Sequence, residues 1–175
     1  SYPLVISTGA STAQLQLARP TDGTQRSIAL FRSSSQGANV GEINVTNSSC
    51  HFVSTSDYRL KENVETLSGA ITRVKTLKPK RFSWIVDEED SANVDGFLAH
   101  EAQTVVPEAV TGTHNEVDDD GNPVHQGIDQ SKLVPLLTAA LQEAITKIET
   151  LETQNTTQAT QIADLITRVE ALEGA

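Results

Sequence analysis

The feature of this sequence that most constrains its fold is a heptad repeat within residues 131–175. Apolar residues recur there at alternating spacings of four and three, which is the pattern of a coiled-coil seam. A helix cannot bury such a stripe by itself, so the pattern predicts a long helix that associates with copies of itself. The a positions are Leu141, Ile148, Asn155, Ile162 and Val169, and the d positions are Leu137, Ala144, Leu151, Gln158, Leu165 and Leu172.

The periodicity leaves the number of associating helices open. Branched residues at a with Leu at d favour two helices, whereas Ile145 and Ile166 at the e positions widen the apolar face and favour three or more. Asn155 and Gln158 form one polar layer, which fixes register at some cost in stability. The phase of the repeat predicts one continuous helix, although the segment "QNTTQAT" has poor helix propensity.

Residues 1–55 carry the signals of short β-strands. Five segments of strand-forming residues are separated by clusters of Gly, Ser, Asn and Thr. Their apolar content is too small for a good independent core, so we interpret residues 1–55 as the end of a longer β-rich fibre, called the passenger below. The segments are "YPLVIS", "AQLQLAR", "RSIALFR", "GEINVTN" and "CHFV".

Residues 56–130 have a mixed α and β pattern. The segment "LSGAITRVKTL" has helical spacing with Ser68 as a candidate N-cap, and Ser131 is a candidate cap for the long helix. The segments "PKRFSWIV" and "DGFLAH" are strand-like, and "HEAQTVV" is a short helix that ends before Pro107. Asp120 and Gly121 predict a hairpin turn within "NEVDDDGNPVHQG". The chain is therefore predicted to be α+β.

Charge and composition exclude several functions. The net charge of −10 argues against a nucleic-acid partner, because phosphate binding requires clustered Lys and Arg. Residues 1–55 have a net charge of +1 and residues 56–175 one of −11, so the charge changes sign near Ser56. We expect neither a membrane segment nor a secretory leader. Cys50 is a single cysteine, and neither the histidines nor "EVDDDG" has the spacing of a metal site, so we expect no metal and no cofactor.

The segment "STSDYRLKENV" lies where the charge changes sign, and it contains Ser56 and Lys61. These two residues are either ordinary surface residues or a catalytic pair, in which an uncharged lysine takes a proton from the serine hydroxyl. Residues five apart on an α-helix point in different directions. A working pair therefore requires a non-helical turn, or a lysine from a neighbouring chain.

The segment "SDYRLKENV" resembles the opening signature of the C-terminal intramolecular chaperone domain of phage tail spikes and tail fibres, peptidase family S74. The resemblance continues in order through "LKPKRFSW", "DGFLAHEAQTVVPEAV" and "IDQSKLVPLLTAALQEAI", from about Ser56 to Glu149. It implies a homotrimer with three parts, which are the passenger (1–55), the chaperone domain (56–130) and a coiled-coil trimerisation helix (131–175).

The resemblance also implies a function. The domain would bring three passenger chains into register and then release itself by hydrolysing the bond between Thr55 and Ser56. Ser56 would be the nucleophile and Lys61 the general base. Three further residues of the signature, together with Glu101, are candidate supporting residues. His100 stands where a glutamine is expected and is given no catalytic role. The three signature residues are Asp57, Arg59 and Asn63.

The location and partners follow from the same resemblance. The passenger would belong to the virion tail and be assembled in the cytoplasm of the bacterial host, and the chaperone domain would be released after the cut. The passenger is the expected partner, and a host surface receptor would be bound through it. The alternative is a trimeric fibre tip that binds a receptor and is never cut. A hydrolase acting on a separate substrate is the weakest interpretation, because no motif of a substrate pocket occurs.

Overall fold

The computed structural model describes residues 5–6, 15–16, 26–33, 38–85 and 92–174. The chain divides into two compact units, residues 1–64 and residues 65–175. The structural division thus falls after Val64, and the functional boundary between Thr55 and Ser56 stays a prediction. Within the described residues, no helix is long and apolar enough to cross a membrane.

The described residues of the first unit form five strands, as the sequence predicts. The first two form an antiparallel pair, and the residues that flank them lie outside the described part of the chain. The other three form an antiparallel sheet in the order β3-β4-β5, with Gly41 opposite Ser54. The strands are β1 (Val5–Ile6), β2 (Leu15–Gln16), β3 (Arg26–Arg32), β4 (Asn39–Val45) and β5 (Cys50–Ser54).

The three-stranded sheet has almost no apolar core of its own. Within residues 26–33 and 38–64, the only buried residue is the polar Asn44, whose amide donates to Glu42. Phe31 and Phe52 are 53% and 81% exposed. Burial of such side chains is the main favourable contribution to folding, so this sheet lacks most of the stabilisation that a separate domain requires.

The second unit, where the structure describes it, has three α-helices and four short strands. Strand β6 pairs with β7 and strand β8 with β9, both antiparallel. The predicted hairpin tip is confirmed, because Val117 bridges Pro123 and Gly121 has the left-handed φ of +83°. The elements are α1 (Ala70–Thr76), β6 (Lys80–Phe82), β7 (Val94–Gly96), α2 (Ala99–Gln103), β8 (Val110–Thr111), β9 (Gly127–Ile128) and α3 (Leu133–Glu173). The α+β class is thereby confirmed.

The core of the second unit lies between α1, α2 and the start of α3. It is small, because five of its nine buried residues are alanines, and small residues let the helices approach closely. Partly buried side chains such as Ile71, Val74 and Phe97 pack around it. The buried residues are Ala70, Ala102, Val106, Ala109, Val110, Leu133, Leu136, Ala139 and Ala140.

Helix α1 is capped by a side chain from α3. The Glu143 carboxylate accepts hydrogen bonds from the Ala70 amide at 2.8 Å and the Ile71 amide at 3.0 Å. The predicted cap, Ser68, is wrong, because Gly69 at the N-cap position has a φ of +68° and makes no side-chain cap. The amide hydrogen bonds from Ile71 and Ala70 hold the pKa of Glu143 below its ordinary value. A negative charge at a helix N-terminus is favourable, so Glu143 fastens α1 to α3.

Helix α3 is continuous over 41 residues, as the heptad phase predicts. The predicted cap at Ser131 is wrong. The Asp129 carboxylate instead accepts from the Ser131 amide and hydroxyl, which starts a 3₁₀ turn that leads into the helix. The threonine-rich middle remains helical while its hydroxyls donate to carbonyls one turn earlier, as Thr156 does to Glu152 and Thr160 does to Thr156.

The first turns of α3 carry two apolar faces. Leu133 and Leu136, at heptad positions g and c, are 4% and 2% exposed because they pack into the core of the second unit. Leu137 and Leu141, at d and a, are 47% and 62% exposed. The seam predicted from the heptads is therefore a separate face that the chain does not cover itself. The exposed seam continues through Ile148, Leu151, Ile162, Leu165, Val169 and Leu172.

Candidate functional site

Ser56 and Lys61 are brought together by a single 3₁₀ turn, Tyr58–Leu60. Asp57 has extended backbone dihedrals at the start of this turn, and the Lys61 amide donates to the Tyr58 carbonyl at its end. As a result the Lys61 ammonium lies 2.7 Å from the Ser56 hydroxyl oxygen, within hydrogen-bonding distance. The contact uses a non-helical turn and both residues of one chain, which is one of the two arrangements that the sequence leaves open.

Asp57 and Arg59 brace this turn. The Arg59 guanidinium donates two hydrogen bonds to the Asp57 carboxylate, from Nε at 3.0 Å and from Nη2 at 2.7 Å. The Arg59 amide donates to the same carboxylate at 2.9 Å. The guanidinium, followed by the amide, holds the pKa of Asp57 below its ordinary value, so the carboxylate stays charged. These two residues therefore determine the shape of the turn that joins Ser56 to Lys61.

Asn63 follows the turn with a left-handed backbone, at a φ of +52°. Asparagine adopts this conformation more readily than most residues other than glycine. The residue type is thus explained by the backbone bend that ends the motif.

Three large apolar side chains in the segment that carries Ser56 and Lys61 are exposed. Tyr58 is 80% exposed, Leu60 is 69% exposed and Val64 is 79% exposed, while Ser56 and Lys61 are exposed as well. Three large apolar side chains in so short a segment are unusual on a surface that stays in water. In a single chain the pair is therefore open to water.

Thr55, on the other side of the predicted cleavage site, is tied to strand β4. Its amide donates to the Val40 carbonyl at 3.1 Å, and its hydroxyl donates to the Asn39 carbonyl at 2.8 Å. Sequence reasoning missed both acceptors. Both acceptors are backbone carbonyls, and every residue has one, so residue type gives no signal. Only knowledge of which β4 residues lie opposite β5 could have indicated them.

Glu101 lies on α2 in the second compact unit. Its carboxylate lies 3.4 Å from the Lys78 ammonium and 3.7 Å from the Lys80 ammonium. The Oε2 atom of Glu101 is buried and has no hydrogen-bond partner, because its 3.7 Å contact with the Lys80 ammonium is too long for a hydrogen bond. These contacts identify Glu101 as a charge partner of two lysines. A role for Glu101 in supporting Ser56 stays a prediction.

The acidic hairpin tip is held by its own hydrogen bonds. The Asp118 carboxylate accepts from the amides of Asp120 and Asn122. The hydrogen bonds from Asn122, the backbone one foremost, hold the pKa of Asp118 below its ordinary value. Within the described ranges, no group of three or more His, Cys, Asp or Glu residues could hold a metal ion. The carboxylate at Asp118 thus has a structural role in the turn.

His100, at the position where a glutamine is expected, stacks on His114. The two ring centres are 4.3 Å apart and the rings are within 8° of parallel. The stack attaches the loop before the hairpin tip to α2. His100 therefore has a packing role within the second unit.

Part of the chain matches the profile of a known family. Residues 56–111 match the profile of Peptidase_S74, described as chaperone of endosialidase. The match begins at Ser56 and covers about a third of the chain, from the Ser56–Lys61 turn to β8. The resemblance seen in the signature segments is thereby supported for residues 56–111, which are similar to this family. A search of curated proteins gave no match.

Proposed function

We propose that this chain is an intramolecular chaperone that assembles and registers a trimeric phage tail fibre or spike, and then releases itself by cutting between Thr55 and Ser56. The observation that carries the proposal is the 2.7 Å contact between Lys61 Nζ and Ser56 Oγ. It joins the two residue types of a Ser-Lys nucleophilic pair at the first residue of the family match.

The position of the nucleophile determines the chemistry. Ser56 directly follows the scissile bond, so its hydroxyl oxygen attacks the carbonyl carbon of Thr55 through a five-membered ring. Lys61 accepts the hydroxyl proton and returns it to the departing amide nitrogen, which leaves Thr55 joined to the Ser56 oxygen as an ester. Water then hydrolyses the ester to a Thr55 carboxylate and a free Ser56 amine and hydroxyl.

Association would activate the lysine. A lysine can act as a general base only in its uncharged form, and removal of water favours the uncharged amine. A neighbouring chain that covers Tyr58, Leu60 and Val64 would exclude water from Lys61. The cut would then follow assembly, because the site is hydrated in a single chain.

The seam of α3 supports association as a homotrimer. Apolar residues recur at its a and d positions along the whole helix. Most of their side chains are about half exposed in a single chain, so this stripe is available for contact with other chains. The apolar residues Ile145 and Ile166, at the e positions, are 45% and 53% exposed and widen the surface beyond the seam of a dimer. Three copies would bury this surface, and the same association would bring three passenger ends together at high effective concentration.

The passenger sheet needs such help. Its described part buries no apolar side chain, so its strands gain most of their stabilisation only when they meet other chains. Pairings between chains form slowly and are prone to slip in register. On the basis of the resemblance, we propose that the passenger belongs to the tail of the virion, is assembled in the cytoplasm of the bacterial host and is the part that would bind a host receptor.

The test of the proposed function is to follow fragments of about 55 and 120 residues during cell-free synthesis of the full chain. The original chain should be cut, whereas Ser56→Ala and Lys61→Arg should stay intact, because the arginine guanidinium remains charged and cannot act as a base. Ser54→Ala, which removes a hydroxyl two residues earlier, is the matched control and should be cut normally. Hydroxylamine should trap the ester as a hydroxamate at Thr55.

An original chain that remains intact and trimeric would contradict the proposed cut and would favour the fibre tip that is never cleaved. Normal cutting of Lys61→Arg would show that Lys61 does not act as a base.

A further inference from the structure

The scissile bond joins two segments that are held in place by different sets of hydrogen bonds. On its carboxyl side, the Asp57–Arg59 brace holds the turn that carries Ser56. On its amino side, Thr55 is held by strand β4 alone, through the carbonyls of Asn39 and Val40. The carbonyl carbon that the nucleophile must attack therefore belongs to a residue whose position depends on the passenger sheet.

The acceptor end of β4 is itself fixed across the sheet. The Arg32 guanidinium donates to the Asn39 side-chain oxygen at 2.9 Å, where β3 ends and β4 begins. The β4–β5 ladder then runs from the Val45 and Cys50 pair to the Gly41 and Ser54 pair. The Thr55 contacts continue this ladder by one residue, so they require β4 and β5 to be paired in this register.

A register error would change the orientation of the scissile carbonyl. The Thr55 carbonyl carbon and the Ser56 hydroxyl stay close in any register, because they belong to adjacent residues. A slip of one residue moves β5 along β4 by about 3.3 Å, so the Thr55 hydroxyl and amide lose the Asn39 and Val40 carbonyls. These hydrogen bonds fix the plane of the scissile peptide, and the rate of a reaction depends strongly on how the reacting groups are oriented.

We propose that Thr55 is a positioning residue whose hydroxyl couples the cut to the register of strands β4 and β5. The inference rests on the proposed function, since it concerns the same bond. The Thr55 side chain holds the scissile peptide plane in the orientation for attack by Ser56 only when the Asn39 carbonyl lies opposite. A chain with slipped strands keeps its Ser56–Lys61 contact, but its scissile carbonyl is turned from the direction of attack, and it is released more slowly.

The test compares three variants of the full chain in the same fragment assay. Thr55→Val keeps the shape and the amide hydrogen bond but lacks the hydroxyl, and should be cut about five- to tenfold more slowly. Thr55→Ser restores the hydroxyl and should be cut at nearly the original rate. Thr76→Val removes a hydroxyl that donates to the Arg73 carbonyl in the second unit, and should not change the rate.

Two further measurements separate positioning from a general loss of structure. Thermal unfolding of Thr55→Val, combined with Ser56→Ala to keep the chain intact, should show an unchanged fold. Hydroxylamine should not restore the rate of Thr55→Val, because the hydroxyl assists formation of the ester rather than its hydrolysis.

An original rate in Thr55→Val, or its recovery with hydroxylamine, would overturn the role of Thr55 while leaving the Ser56–Lys61 reaction in place. Slow cutting of Thr55→Ser would also overturn it, because the hydroxyl would then not be the group that matters. An original chain that is never cut would instead overturn the proposed function itself.

Discussion

Two adjacent leucines of α3 allow the core within one chain to be separated from the seam between chains. Leu136 is 2% exposed and packs into the second unit, whereas Leu137 is 47% exposed and lies on the seam. The same change, leucine to alanine, should therefore have different consequences at the two positions. Both variants are made with Ser56→Ala so that the chain stays whole.

The magnitudes follow from the burial. Loss of a buried leucine side chain costs about 2–5 kcal/mol, so Leu136→Ala should lower the Tm by roughly 8–20 °C for a unit of this size. About half of the Leu137 side chain would be buried when chains associate. Its truncation to alanine should therefore remove roughly 1 kcal/mol of association free energy per chain, or about 3 kcal/mol in a trimer. That loss weakens association roughly a hundredfold.

The assay is thermal unfolding together with sedimentation over a wide range of protein concentration. Leu136→Ala should lower the Tm by the same amount at every concentration. Leu137→Ala should separate into single chains at concentrations where its parent remains associated. Unchanged association of Leu137→Ala across the dilution series would refute the seam at this position, and with it the separation of the two faces.

Two further predictions concern α3. Replacing Asn155 with Ile and Gln158 with Leu should raise the Tm, because apolar seam residues contribute about 1.5–3 kcal/mol each when fully buried. Thr160→Leu, which lies off the seam, is the control. A less stable trimer of the double variant would show that the layer of Asn155 and Gln158 is not part of the seam. Glu143→Gln should destabilise the chain at neutral pH. The pKa of Glu143 is lowered by folding, so its stabilising effect is present above the unfolded value and is lost as pH falls through the folded one. The difference between Glu143→Gln and its parent in thermal unfolding should therefore vanish in acid, and a constant difference would contradict the cap.

Periodicity and local spacing predicted the parts of the structure that depend on neighbouring residues. The continuity of α3, the turn at Gly121 and the α+β class all follow from patterns within a few residues. The Ser56–Lys61 contact was anticipated as one of two arrangements, because five residues and a tight turn suffice to form it.

The contacts that sequence reasoning missed join distant segments. Glu143 caps a helix that begins 73 residues earlier, and no local signal distinguishes it from other acidic residues of α3. Ser68 and Ser131 have the residue type of a cap, but Glu143 and Asp129 occupy those roles. Tertiary structure supplies the partner of α1, whereas Asp129 lies only two residues from Ser131. Asp and Ser are both preferred caps, so residue preference alone cannot rank them.

The cap at Glu143 also has a consequence for the time course of synthesis. Helix α1 has seven residues, which are too few to be stable alone. The carboxylate that caps its first amides belongs to Glu143, which is synthesised 73 residues after Ala70. At about 5–20 residues per second, that interval lasts about 4–15 s. The strands up to Ser54 leave the ribosome before the unit that would register them can be completed. During this interval the nascent strands must avoid aggregation without its help.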